Sequence, residues 1–170
     1  MKTLFVLLIA GLFMCSTRIT NSDKTSYPEK IVQENLIGRI NRSDLLTEPF
    51  SLWFNEGYAS YSVDKATMDS IPGKAWENLE ISIVLATWCP DTRRELPRFF
   101  KIMDYAGFPD QNLDLIAVNR EKRAPSLDLE YLDIQMVPTI IFFRENMELG
   151  RIIETPLKSL EKDIAEILTN

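Results

Sequence analysis

Ile81 to Thr87 (ISIVLAT) restricts the fold more than any other segment: it is a mainly apolar, β-branched run, too short for a buried helix. Such a run fits a strand covered on both faces, which puts it inside a sheet rather than at an edge. A helix is expected to start near Cys89-Pro90, with Phe99, Phe100, Ile102 and Met103 as its apolar surface and a kink at Pro97. Leu113 to Val118 (LDLIAV) reads as a second strand, so strand, helix and strand within about 40 residues predict a right-handed βαβ unit.

Downstream, a short helical stretch is expected over Ser126 to Ile134, a strand over Thr139 to Arg144 (TIIFFR), a turn at Glu145-Asn146 and a strand over Met147 to Glu154 with a bulge at Gly150. Leu157 to Leu168 has the spacing of an amphipathic helix. This order gives an α/β domain over 75–170, a mixed central sheet flanked by helices on both faces. Ahead of it, 35–74 reads as a helical extension. Phe50, Trp53, Phe54, Tyr58 and Tyr61 share one helix face, with Thr47 as its N-cap and Glu48 and Pro49 in its first turn. That stripe reads first as core packing and second as a ligand groove. Gly57 inside it costs about 1 kcal/mol relative to Ala. Val63 to Ile71 reads as a second short helix stopped by Pro72-Gly73.

The N-terminus reads as an address. Leu4 to Met14 (LFVLLIAGLFM) is an uncharged apolar run after a basic start, too short to span a bilayer and matched to a secretory signal over 1–15. A polar spacer follows over 16–34. Cys15 stands where a bacterial lipoprotein signal puts its acylated cysteine, although Met14 is large for such a site. Lipid anchoring and soluble export both follow from this pattern, and both take the protein to the periplasm or cell envelope.

Composition narrows the chemistry. The chain has no His, two Cys and a formal net charge of −6. Without imidazole, Ser-His-Asp and Cys-His pairs and HExxH zinc sites cannot be built from this chain. The acidic balance argues against nucleic acid as a partner, and no motif asks for a metal or cofactor.

Chemistry therefore centres on Trp88-Cys89-Pro90-Asp91-Thr92-Arg93. Cys89 lies at the carboxyl end of a buried strand and opens a helix, whose unpaired N–H groups favour thiolate over thiol. Pro90 suits the N1 position, Thr92 has a hydroxyl that can donate to a sulfur anion, Arg93 and Arg94 add positive charge, and Asp91 opposes ionisation. An inert, buried thiol is the competing reading.

From about residue 75 to 168 the chain resembles the thioredoxin family. Trp88-Cys89-Pro90-Asp91-Thr92 stands where that family has W-C-x-x-C, and Val137-Pro138-Thr139 matches its cis-proline loop. The run TWCPDTRRELPRF is also similar to that of an exported bacterial subgroup. The resemblance implies that Cys89 attacks a disulfide, Trp88 forms the shoulder of a peptide groove, and Val137 and cis Pro138 face the sulfur and offer a backbone edge to a substrate. It also exposes two departures: the resolving cysteine is Thr92, and the buried acid of the preceding strand falls at Ile83. Two functions follow. One is exchange through a single uncovered Cys89 with protein or small-molecule thiols and disulfides, resolved by an external thiol; the other is a redox-inert module binding a peptide or partner protein.

Overall fold

A computed structural model describes residues 35–125 and 127–169. The signal and spacer expected over 1–34, Cys15 and Ser126 lie outside the described residues.

Five strands form one sheet: β1 (Gly38–Ile40), β2 (Leu79–Leu85), β3 (Leu113–Ala117), β4 (Thr139–Arg144) and β5 (Met147–Ile153), in the order β1-β3-β2-β4-β5. β2 runs parallel to β3 and antiparallel to β4, with Ile83 opposite Leu115 on one side and Ile140 on the other. Its alternation explains why Ile83, Val84 and Leu85 are apolar in succession. Ile81, Ile83 and Leu85 enter one core cluster, whereas Val84 enters a second cluster on the opposite face.

The first face is covered by helices. α4 (Pro90–Ala106) contributes Leu96, Phe99, Phe100, Ile102 and Met103, and α5 (Leu160–Thr169) contributes Leu160, Ile164 and Leu168. α4 runs on through Pro97 and ends at Gly107, whose φ of 68° is the left-handed C-cap geometry that glycine adopts freely. The second face is covered by the segment between β3 and β4. Its expected helix over 126–134 is reduced to a single 3-10 turn at Glu130–Leu132. Leu127, Leu129, Leu132 and Ile134 each pack on the sheet at spacings of two and three, which a continuous α-helix does not present to one surface.

The region 35–74 holds α1 (Arg42–Leu45), α2 (Phe50–Ser60) and α3 (Lys65–Asp69), but it is not wholly helical. β1 joins the sheet antiparallel to β3, and Arg39 Nε meets Asp114 Oδ1 at 2.9 Å. Three residues are too few to show strand periodicity, so pairing with β3 decides their conformation. Thr47 is not the N-cap of α2. Pro49 holds that position after a cis peptide bond from Glu48, while the Thr47 hydroxyl donates to the Asp44 carbonyl at 2.8 Å.

The aromatic stripe is packing. Phe54 is fully buried with its ring 5.5 Å from that of Phe100, Phe50 is buried, and Trp53, Tyr58 and Tyr61 lie half-buried against the same core. Gly57 faces Pro97 so closely that a Cβ would sit 2.6 Å from Pro97 Cγ. The residue that weakens α2 locally is the one that lets α2 reach α4. The Tyr61 hydroxyl donates to buried Glu161 at 2.9 Å, and burial followed by this carboxylate raises the tyrosine well above its ordinary range.

The hairpin turn follows the sequence, whereas the bulge and the start of α5 differ from the expected Gly150 and Leu157. Glu145 and Asn146 have φ of 51° and 64°, the two-residue turn whose twist suits a hairpin. The ladder shifts between Phe142, opposite Gly150, and Phe143, opposite Glu148, leaving Leu149 as the extra residue of a bulge. α5 begins at Leu160 rather than 157, because Asp163 turns back to accept from the Leu157 N–H at 2.6 Å and the Lys158 N–H at 3.1 Å.

Two predictions follow from this packing. Gly57→Ala lowers stability by about 1 to 3 kcal/mol through the Pro97 contact, opposite in sign to the helix-propensity gain of about 1 kcal/mol; the urea midpoint reads the sign. Second, Arg42 Nη1 donates to Asp104 Oδ1 at 2.7 Å, and this guanidinium, with the Tyr58 hydroxyl, holds Asp104 below the ordinary carboxylate value of 3.8. A depressed folded value means stability that is present above the unfolded value and lost as pH falls through the folded one. Asp104→Asn should therefore flatten the loss of thermal stability on acidification below about pH 4.

Candidate functional site

The site grows from the carboxyl end of β2. Ala86 and Thr87 carry the chain out of the sheet, and the Cys89 N–H donates to the Ala86 carbonyl at 2.9 Å to close a tight turn. Cys89 then caps α4 in extended conformation (φ −81°, ψ 127°), Pro90 takes N1, and the Arg93 N–H donates to the Cys89 carbonyl at 3.1 Å as the first helical bond. The expected start of the helix is found.

Cys89 Sγ lies 3.1 Å from the carbonyl oxygen of Val137, and the Val137–Pro138 peptide bond is cis. The strand-end thiol and the proline loop, 48 residues apart, are thus brought together. Because a carbonyl only accepts, this contact is made by the protonated thiol. The loop is braced by the Thr139 hydroxyl, which donates to the Met136 carbonyl at 2.7 Å, and by the Glu154 N–H, which donates to the Pro138 carbonyl at 2.7 Å. The Val137 N–H has no hydrogen-bond partner among the described residues.

Several expectations are corrected. The Cys89 sulfur was expected uncovered, yet the residue keeps only 5% exposure, enclosed in the second-face cluster with Val84, Ala86, Val137 and Ile141. Thr92 makes no bond to the sulfur among the described residues. It is fully buried, and its hydroxyl oxygen accepts from the Ala86 N–H at 3.3 Å, tying the first turn of α4 to the end of β2. Arg94 adds no free charge, since it meets Asp91 at 2.7 Å and buried Glu95 at 2.6 Å. Arg93 is exposed, with its Nε donating to the Thr87 carbonyl at 2.7 Å. Ile83, where the family's acid would stand, is fully buried among apolar side chains.

Trp88 is half-buried. Its Nε1 donates to the Val118 carbonyl at 3.3 Å, and the Arg120 guanidinium carbon lies 5.0 Å from its ring centre, within cation–π range. Arg120 and Met136, 47% exposed beside Val137, are site residues that sequence reading missed. Both come from irregular segments, where no periodicity marks an inward or outward face. Thr87 was also missed as a joint: its hydroxyl oxygen accepts from the Leu36 N–H at 3.1 Å, so the chain ahead of β1 joins the domain next to the motif. No cluster of three or more metal-ligating side chains occurs among the described residues.

A βαβ unit followed by a ββα unit, with a cis proline opening β4 against a cysteine that opens α4, defines a thioredoxin-like fold. No family model and no curated protein matches the chain. Similar solved structures include a protein of unknown function from Pseudomonas aeruginosa, at 16% identity over 78% of this chain and 90% of that one, TM-score 0.47. Trxlp from Edwardsiella tarda is similar at 20% identity over 64% of this chain and 96% of its own, TM-score 0.40. Mitochondrial thioredoxin 3 from Saccharomyces cerevisiae, oxidized form, is similar at 16% identity over 51% of this chain and 86% of its own, TM-score 0.34.

Since the Thr92 hydroxyl is the partner of a buried backbone N–H, Thr92→Val should cost about 1 to 3 kcal/mol, with Thr92→Ser keeping most of it. Equilibrium unfolding of the two variants measures the difference.

Proposed function

We propose that this protein is an exported thioredoxin-fold module that performs thiol–disulfide exchange through Cys89 alone. The observation that carries the reading is the 3.1 Å approach of Cys89 Sγ to the Val137 carbonyl beside cis Pro138. A partner strand pairing with the Val137 N–H would bring its own sulfur to the same place.

The steps balance as follows. Cys89 gives its proton to solvent, and the thiolate attacks one sulfur of a partner disulfide. A new S–S bond joins Cys89 to the partner as the old S–S bond breaks, and the departing thiolate takes up a proton. With Thr92 at the resolving position, a second thiol from outside must attack the mixed disulfide, releasing Cys89 as thiol and leaving the partner joined to that second thiol. The Val137 carbonyl engages the thiol, so exchange requires the partner to displace that contact. Export rests on the apolar run at Leu4–Met14, and tethering on Cys15.

One observation favours a second reading, a redox-inert binding module: the thiol is 5% exposed and hydrogen-bonded. Mass spectrometry separates the two. Incubating the folded protein with a small mixed disulfide at neutral pH should add one probe mass to Cys89, reversed by glutathione. If only the unfolded protein is labelled, the binding module is the correct reading.

A further inference from the structure

We propose that Arg93 and Arg120 make Cys89 selective for partners whose sulfur is flanked by carboxylates, an acidic peptide disulfide being the fitting class. The inference rests on the exchange reading above. Arg93 stands one helical turn beyond Cys89, and the bond from its Nε to the Thr87 carbonyl holds its guanidinium at the β2–α4 junction. Its remaining N–H donors have no partner among the described residues, and it joins no ion pair there. Arg120 lies over Trp88, the residue next to Cys89, and likewise has no carboxylate partner among the described residues. Two exposed guanidinium groups are thus oriented by contacts with Thr87 and Trp88, the two residues ahead of Cys89, and keep donor edges to spare.

Neighbouring acids do not cancel them. Asp91 is closed onto Arg94, and Glu95 takes both Arg94 and Arg98. The turn that carries Arg120 is shaped by Asn119, whose Oδ1 accepts from the N–H groups of Glu121 at 3.1 Å and Arg123 at 2.9 Å. In it Arg120, Lys122 and Arg123 outnumber Glu121, and Glu154 stands next to Pro138 rather than next to Trp88. A chain of net charge −6 therefore carries two arginines without carboxylate partners among the described residues beside Thr87 and Trp88, the reverse of its overall sign. Such local charge raises the encounter rate of an anionic partner and lowers that of a cationic one. A guanidinium with free edges also binds a carboxylate in two-point geometry.

The test uses three short peptides carrying one cysteine as its 2-pyridyl disulfide, flanked by Asp, Ser or Lys. Attack on the peptide sulfur joins it to Cys89 and releases 2-thiopyridone, whose absorbance gives the rate in Cys15→Ser protein. At low salt the Asp peptide should react about tenfold faster than the Lys peptide, and the ratio should shrink toward about twofold near 0.5 M salt. In the Arg93→Gln, Arg120→Gln double variant the ratio should fall to about one, and Arg120→Lys should restore part of it. Equal rates for the three peptides would overturn the proposal while leaving the exchange reading standing. A preference that survives in the double variant would overturn its assignment to these two arginines. Absence of reaction with every peptide, when the unfolded protein reacts, would remove the exchange reading and this inference together.

Discussion

Burial of β2 on both faces is the constraint on which the rest of the structure depends. It pairs with β3 on one side and β4 on the other, and its side chains alternate between two separate apolar clusters. Its register is fixed, because a one-residue slip would exchange Ile83 with Val84 and misfit both clusters at once. That fixed register determines where the chain leaves the sheet. Ala86, Thr87, Cys89 and the start of α4 are placed by it, and the thiol inherits its position from the strand.

Around that exit the polar groups are tied up with one another. The Ala86 N–H goes to Thr92, the Thr87 carbonyl to Arg93, the Thr87 hydroxyl to the chain ahead of β1, and the Val137 carbonyl to Cys89. These bonds tie the site together, and the hydroxyl at position 92 is engaged with the Ala86 N–H rather than with the sulfur. Threonine there locks the first helical turn to the strand. Cys89 is left as a single thiol enclosed beside the Val137 loop.

Arg93 and Arg120 arrive from α4 and from the loop after β3, and both are oriented by groups of the motif rather than by carboxylates. Neither pairs with an acid among the described residues, in contrast to Arg42, Arg94 and Arg151. The arginines thus divide by their partners and not by their exposure alone.

The amino-acid sequence by itself determined the elements whose signals are local. The both-face run of β2, Pro90 at the first position of α4, the Glu145-Asn146 turn and the amphipathic α5 are all written in short-range propensity and periodicity. It also determined that position 92 has no thiol and position 83 no acid. Tertiary structure alone decided what depends on meeting a distant partner. β1 is a strand because β3 offers it an edge, and the 127–134 stretch is largely irregular because the second face needs apolar contacts at non-helical spacing. Gly57 is required rather than tolerated because Pro97 lies against it. Cys89 is enclosed rather than open because the Val137 loop folds over it from 48 residues away. Propensity acts over a few residues, whereas burial and charge pairing are set by groups that the chain brings together only on folding.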